Sequence, residues 1–327
     1  MKLGRVLTAT LALAGALLLC RSVGAAEWRV PGHFPTIQAA IDSHFVKDGD
    51  VLRVLPGRRP GATVTKALSI RALGRVTIVN GPVVNTLGKA GFLFPGGGAG
   101  SGATIAGFHF EHVAFPVFSR GADDVSVIHN TMHKPNQGVT SWANLTWGHG
   151  WDIAHNVILD LRTDCGGGIG ILIGDYAGGT VTGNVIAHNE VRGRVRVPSD
   201  DCGGYGAPGI VLFADWRYPG DTGATITANR VVKNRVVLSS SDSALVPVSG
   251  VQLADTSGVA TAITGNEVVY NDLRGMAVPV DLNPDGLGHP VNRIEKNLTG
   301  PVCHWPDRAP QSFRQLRPVG QEPAPVR

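Results

Sequence analysis

Three segments of the sequence repeat one another without gaps: Val181–Val191 reads VTGNVIAHNEV, Ile226–Val236 reads ITANRVVKNRV and Ile263–Leu273 reads ITGNEVVYNDL. In each segment an apolar residue stands three positions before the first Asn, and a second Asn follows the first after five positions. Repeats at intervals of a few tens of residues are typical of solenoids, in which each coil buries its apolar face against the next. Weaker copies centre on Asn130, Asn156 and Asn297.

Each repeat has the pattern of short strands joined by turns, and one turn carries Asn at a fixed place. Asn tolerates the left-handed backbone conformation that a sharp turn requires, and stacked side-chain amides can hydrogen-bond from one turn to the next. We therefore predict one ladder of stacked amides, formed by Asn130, Asn156, Asn184, Asn229, Asn266 and Asn297.

The composition agrees with a chain of short strands and tight turns. Of 327 residues 44 are glycine, without the G-X-Y triplets of collagen, and Asp far outnumbers Glu. Asp favours turns whereas Glu favours helices. The formal charge of +4 includes three basic residues in the first 26, so the remainder has 26 basic and 25 acidic residues. We therefore expect no nucleic-acid partner.

The chain divides into three parts. Residues 1–26 have a basic start, an apolar run from Val6 to Cys20 and small residues at Gly24 to Ala26, the pattern of a cleaved signal peptide. The apolar run is too short to span a bilayer, so no membrane insertion is expected after cleavage. Residues 27–300 form the repeat domain, and the proline-rich residues 301–327 form a tail. These features predict a periplasmic or secreted protein.

The repeats resemble those of right-handed parallel β-helix proteins of the pectin-lyase-like superfamily, exported bacterial proteins among them. The similarity extends to the TIQAAI motif at Thr36–Ile41 and to the strand motif between Gly49 and Gly57. It implies an all-β solenoid whose first coil is covered by a short capping helix, which we place at residues 34–45. The superfamily includes lyases, hydrolases, esterases, epimerases and binding proteins, so the resemblance leaves the activity open.

Loops inserted into a solenoid usually form its binding face. The longest intervals between ladder residues predict insertions at residues 192–208 and 238–249, which would wall a groove. Arg192, Arg194 and Arg196 alternate along the first insertion, and guanidinium groups bind the carboxylates of an acidic polysaccharide well. A solvated basic edge is the alternative interpretation.

Two similar motifs carry cysteine and aspartate. Asp164-Cys165 and Asp200-Asp201-Cys202 both precede a Gly-Gly pair, and equivalent positions on neighbouring coils would allow a disulfide between Cys165 and Cys202. Free thiols are the alternative, and Cys303 has no assigned partner. The pairing would gather Asp164, Asp200 and Asp201, which could bind Ca²⁺, act in acid catalysis or close turns.

Further binding candidates follow the predicted strands. Asp175, Asp215 and Asp255 end three equivalent strands, and we place Asp175 and Asp215 beside the insertions as substrate-binding residues, with turn closure as the alternative. The aromatic residues Trp147, Trp216 and Tyr218 would offer flat faces to sugar rings, or would pack against the coils.

Together these features predict a protein that binds or processes an acidic polysaccharide. If it is an enzyme, a lyase is favoured over a glycoside hydrolase, because the residue pattern expected around hydrolase carboxylates is incomplete. In that hypothesis Asp164, Asp200, Asp201, Arg194 and Arg196 are catalytic and Arg192 binds substrate. The alternative is a non-enzymatic β-helix that binds glycans or assists another periplasmic factor, since the repeats also resemble those of copper-site maturation proteins.

Overall fold

A computed structural model describes residues 24–84, 88–143, 146–215, 224–256, 262–283, 287–288 and 291–301. Within these ranges the chain forms 28 short strands and one helix, and neighbouring strands pair in parallel in three long sheets and one short sheet. Residues 1–23 of the predicted signal peptide, Cys303 and nearly all of the predicted tail lie outside the described residues.

Sheet 1 has ten strands. They are β1 Glu27–Val30, β2 Val51–Val54, β5 Ser69–Ala72, β8 Thr104–Ala106, β11 Ser126–Ile128, β14 Asp152–Ala154, β18 Val185–Ala187, β22 Arg230–Val232, β26 Glu267–Val269 and β28 Arg293–Glu295.

Sheet 2 has seven strands and sheet 3 has eight. Those of sheet 2 are β3 Gly57–Pro60, β6 Val76–Asn80, β9 His109–Glu111, β12 Thr131–His133, β15 Val157–Leu159, β19 Glu190–Val195 and β23 Arg235–Ser240. Those of sheet 3 are β4 Ala62–Thr63, β7 Ala90–Phe94, β10 Phe115–Ser119, β13 Gln137–Ala143, β16 Ile169–Asp175, β20 Ala207–Ala214, β24 Val248–Asp255 and β27 Val278–Asn283.

The chain visits the sheets in a fixed cycle. From β2 to β25, a strand of sheet 1 is followed by one of sheet 2, one of sheet 3 and, in the later coils, one of a short fourth sheet before the chain returns to sheet 1. The strands of the fourth sheet are β17 Thr180–Thr182, β21 Thr225–Thr227 and β25 Ile263–Thr264. Stacking of these coils gives a parallel β-helix, as the repeats predict.

The core lies inside the coils and consists of stacked apolar columns. In the eight inner strands of sheet 1, β2 to β26, one residue near the middle points inward and is fully buried, and register pairing places it on its counterpart in the next coil. Full burial of one such aliphatic side chain contributes about 1.5–3 kcal/mol. The column contains Leu52, Ile70, Ile105, Val127, Ile153, Ile186, Val231 and Val268.

The asparagines form two ladders, not the single one predicted. In both ladders the side-chain Nδ2 donates to the Oδ1 of the next Asn at 2.8–3.0 Å. The first ladder, before sheet 1, contains Asn184, Asn229, Asn266 and Asn292. The second, between sheets 1 and 2, contains Asn130, Asn156, Asn189, Asn234, Asn271 and Asn297.

The prediction merged the two ladders because each strong repeat carries both asparagines, whereas the weak copies at Asn130 and Asn156 carry one. Five positions before Asn130 and Asn156 stand Val125 and Trp151, so these coils lack the first-ladder amide. The first ladder ends at the buried Trp151, whose backbone N–H donates to Asn184 Oδ1 at 2.8 Å. The weak copies therefore align with the second Asn of each strong repeat.

The left-handed residue of each second-ladder turn is the one before the Asn, not the Asn itself. Six such residues have φ between 57° and 59°, and the asparagines are left free to turn their amides into the ladder. These six residues are His129, His155, His188, Lys233, Tyr270 and Lys296.

The helix α1, Ile37–Asp42, lies inside the predicted range 34–45 and is shorter at both ends. Thr36 caps it, because its Oγ1 accepts the Ala39 N–H at 3.1 Å. Ile37, Ala40 and Ile41 are buried in the main core. Among the described residues, no helix has the length and apolar character needed to cross a membrane.

Candidate functional site

A groove of about 720 Å³ runs along the corner where sheet 2 turns toward sheet 3, and we call it the basic groove. Its residues come from five neighbouring coils, so at about 4.8 Å per strand it spans roughly 19 Å. It is lined by Glu111, His112, His133, Lys134, Asp160, Leu161, Arg162, Arg194, Arg196, Val197 and Ser241.

A column of left-handed residues forms the backbone of this corner. His112, Lys134 and Asp160 have φ of 60°, 55° and 52°, and Gly193 has φ of 109°. The first three residues directly follow a strand of sheet 2, and Gly193 lies within one. Lys134, Asp160 and Gly193 each lie four positions after a second-ladder Asn. The repeat thus places one turn residue per coil at the rim of the groove.

The groove carries positive charge that is not balanced locally. Within the described part of the chain, no carboxylate forms an ion pair with Lys134, Arg194 or Arg196. By contrast, Arg192 and Arg235 on the same sheet both pair with Glu190, at 3.1 and 3.0 Å. An unpaired guanidinium can bind an anion without first giving up a salt bridge.

The predicted arginine row is therefore divided. Arg194 and Arg196 line the basic groove, whereas Arg192 is occupied by Glu190 and does not line it. Sequence reasoning missed a third guanidinium, Arg162, whose Nε donates to Asn136 Oδ1 at 2.6 Å.

An acid and a histidine meet inside the groove. Asp160 Oδ2 lies 3.7 Å from His133 Nε2, and both side chains are 45% exposed. The other oxygen, Oδ1, accepts the backbone N–H of Arg194 at 3.1 Å. Gly193 makes this approach possible, because a Cβ at that position would collide with Oδ1.

The predicted disulfide between Cys165 and Cys202 is confirmed, with the two Cα atoms 4.9 Å apart. It joins the loops that connect sheets 2 and 3 in neighbouring coils. Asp201 fastens the same loops, since its Oδ2 accepts the Cys165 N–H at 3.2 Å and its Oδ1 accepts the Gly203 N–H at 2.9 Å. The Tyr205 hydroxyl donates to the carboxylate at 2.8 Å.

With these contacts Asp201 does not have the elevated pKa that a general acid requires. Burial alone would raise the pKa of Asp201, but the hydrogen bonds to its carboxylate, with Thr163 as a further partner, outweigh burial and hold the pKa below its ordinary value. The carboxylate stays ionised and closes the loop.

The geometry gives no support to the calcium interpretation of Asp164, Asp200 and Asp201. Among the described residues, no group of three or more His, Cys, Asp or Glu side chains has the geometry to hold a metal ion. The oxygens of Asp201 already accept N–H and O–H donors, whose positive hydrogen ends point at the oxygens that a cation would need. Asp164 and Asp200 are exposed, and neither they nor Asp201 line the basic groove with Arg194 and Arg196.

Asp175, Asp215 and Asp255 are buried, which contradicts the substrate-binding role predicted for Asp175 and Asp215. Asp175 Oδ1 accepts the backbone N–H groups of Ala177 and Gly179, at 2.7 and 3.2 Å. Asp215 Oδ1 accepts the Thr256 hydroxyl at 3.2 Å. These carboxylates close the turns that leave sheet 3.

The aromatic candidates have mixed outcomes. Trp147 is half-buried, packs over Gly98 and Gly121 and does not line the basic groove. Trp216 and Tyr218 lie outside the described residues. Other rings, Trp142, Tyr176 and Phe213, cluster half-buried on the outer face of sheet 3.

The two predicted insertions both reach the groove. Residues 192–208 supply Arg194, Arg196 and Val197, and residues 238–249 supply Ser241. They are joined there, since Ser241 Oγ accepts the Val197 N–H at 2.8 Å.

Sequence reasoning assigned no groove role to His133, Lys134, Asp160 or Arg162. The available signal was positional, because the residue four after each second-ladder Asn marks the corner. Aligning Asn184, Asn229 and Asn266 with Asn130 and Asn156 hides this position, because it places first-ladder and second-ladder residues in one column.

No family model matches the sequence, and no curated protein matches it. Among solved structures, a PL6 family polysaccharide lyase from Pseudopedobacter saltans is similar, with 11% sequence identity and a TM-score of 0.23 over 87% of this chain and 94% of that chain. Backbones at such a TM-score do not superpose closely, and the parallel β-helix is assigned from the sheet topology of this chain itself.

Proposed function

We propose that this protein binds an acidic polysaccharide in the basic groove. The observation that carries the proposal is the row of cations, Lys134, Arg194 and Arg196, that have no ion-pair partner among the described carboxylates. A linear polyanion presents carboxylates at regular intervals, and a groove that crosses five coils can engage several of them at once.

The shape of the site also favours a chain over a compact ligand. The groove is open along the corner and long compared with its side chains, so a polymer can lie across the coils with both ends projecting. His112 adds a donor for sugar hydroxyls, and Ser241 extends the polar lining at one end.

Export fits the same proposal. The disulfide is a feature of proteins in oxidising compartments, and the first 26 residues have the pattern of a signal peptide. We place the mature protein in the periplasm or outside the cell, where acidic polysaccharides are accessible to it.

The test is a binding series with the mature chain, using polygalacturonate, alginate and hyaluronan as probes and neutral dextran as the control. Calorimetry should detect binding to at least one polyuronate and none to dextran. The double variant Arg194→Gln/Arg196→Gln should weaken that binding roughly tenfold or more, since hydrogen bonds to charged groups contribute about 1.5–3 kcal/mol each.

A matched control distinguishes a groove from general electrostatic attraction. Arg192→Gln/Arg235→Gln removes the same charge from the same sheet, but at two arginines that pair with Glu190 outside the groove. Its affinity should stay close to that of the unaltered protein. Equal weakening by both double variants, or no binding to any polyanion, would rule the groove out.

A further inference from the structure

We infer that the basic groove is an eliminative active site in which His133 is the general base and Asp160 is the residue that positions it. The inference rests on the proposed function, because the substrate is the polyuronate held by the groove. It replaces the catalytic carboxylates expected from the sequence, which the structure keeps in loop contacts or leaves outside the groove.

Asp160 is held from two sides. Its left-handed backbone conformation places it at the corner, and the backbone N–H of Arg194 donates to Oδ1 at 3.1 Å. Gly193 provides the space that this contact needs. A carboxylate fixed through one oxygen leaves the other available to a neighbouring side chain, which here is His133.

His133 is oriented by that second oxygen. Its Nε2 lies 3.7 Å from Asp160 Oδ2, a distance within ion-pair range that a bound substrate can shorten. A carboxylate beside Nε2 favours the tautomer with its proton on Nε2, which leaves the lone pair of Nδ1 free to accept a proton. Both side chains are partly exposed in the groove, so a substrate can reach them.

The surrounding cations supply the rest of the chemistry. Elimination requires that the proton beside a uronate carboxylate become acidic, and a guanidinium bound to that carboxylate stabilises the negative charge that develops when the proton leaves. Arg194 and Arg196 are the groups suited to this, because neither has a carboxylate partner in the described residues. Lys134 adds an ammonium group on the coil of His133, two coils from Arg194.

The step balances without a co-reactant. The C–H bond beside the carboxylate breaks, its proton passes to His133 Nδ1, and its electron pair forms a carbon–carbon double bond. The bond to the glycosidic oxygen breaks, and this oxygen keeps the pair and takes a proton from Lys134. His133 then loses its proton to solvent and Lys134 regains one, so the polymer is divided into a new chain end and an unsaturated uronide.

The experiment follows unsaturated uronide by its ultraviolet absorbance, with the polyuronate that binds in calorimetry as the probe. The unaltered protein should generate the absorbance. His133→Gln should lower kcat by roughly 100-fold or more, the range lost with a general base, while its binding affinity in calorimetry stays unchanged. His188→Gln, an exposed histidine on the corner between sheets 1 and 2, should retain full activity.

Asp160 is tested by the split between kcat and KM. Asp160→Asn should lower kcat and leave KM unchanged, and Asp160→Glu should recover part of the lost kcat because it restores the charge. Binding without unsaturated product in the unaltered protein would overturn the inference and leave the proposed binding function standing. A His133→Gln variant that cleaves at the normal rate would overturn it as well, whereas loss of all binding would remove both proposals.

Discussion

Asn189 is typical of the residues that hold the coils in register. Its Oδ1 accepts from the backbone N–H and the Nδ2 of Asn156, both at 3.0 Å, and its own Nδ2 donates to Asn234 Oδ1 and to the carbonyl of Ile153. The side chain is buried, so water cannot replace the hydrogen bonds that it makes with Asn156, Asn234 and Ile153.

Replacing Asn189 with alanine should lower the free energy of unfolding by about 3 kcal/mol, because buried partners on both neighbouring coils lose their hydrogen bonds. Urea denaturation followed by circular dichroism measures the change. Asn80→Ala, at an exposed site, is the control and should shift the midpoint little. A small effect at Asn189 would mean that the ladder contributes little to stability.

Asp201 makes stability depend on pH. Its pKa in the folded protein lies below the ordinary value of 3.8, so its stabilising contribution is complete above that value and is lost as the pH falls through the folded-state pKa. Asp201→Asn should therefore be less stable than the unaltered protein at neutral pH, and the gap should narrow as the pH falls below about 4. Thermal unfolding over a pH series tests this, and a gap that does not change with pH would contradict it.

For single residues, the sequence predicts which residues matter to the fold better than it predicts which residues form the groove. The ladder asparagines could be found because they recur at fixed offsets, and the cysteine pair because its motifs repeat. The groove residues could not be assigned in the same way, because their roles depend on the left-handed turns at Lys134 and Asp160 and on the missing side chain of Gly193.

The loops that join sheets 2 and 3 are the elements most dependent on a covalent link. Cys165 and Cys202 are separated by 37 positions, and closing a loop of that length is expected to stabilise the folded chain by about 3–4 kcal/mol. Arg194 and Arg196 precede one of these loops, so the link also supports the groove.

The double variant Cys165→Ser/Cys202→Ser should unfold at lower urea concentration, by an amount approaching that estimate. Adding a reducing agent should destabilise the unaltered protein to a similar extent and leave the variant unchanged. An equal response of both proteins to reduction would show that the stability difference does not come from this disulfide.

Strands and coils were predictable as elements because period and alternation are local properties. The division of the asparagines into two ladders was not predictable in the same way. The single Asn of a weak copy can be aligned with either Asn of a strong repeat. The structure resolves the alignment because it places Val125 and Trp151 at the first-ladder positions. The roles of Asp175 and Asp215 were likewise misjudged, because the sequence cannot distinguish a carboxylate beside a cleft from one buried in a turn.

For the whole molecule, the small net charge gives no indication of the basic groove. The chain without its first 26 residues is close to neutral, and many surface arginines form pairs, as Arg230 and Arg293 do with Glu267. The basic groove is a local departure from this pattern, with its cations gathered on one corner of an otherwise balanced β-helix. The net charge of the chain therefore does not reveal a local binding groove.

The central claim, that a polyuronate lies in the basic groove, is tested most directly by hydrogen–deuterium exchange of the mature protein with and without polygalacturonate or whichever polyuronate binds. The account predicts slower exchange on binding at residues 133–135, 160–163 and 194–197, and unchanged exchange at the corner between sheets 1 and 2. Protection confined to the outer face of sheet 3, or spread evenly over all corners, would contradict it.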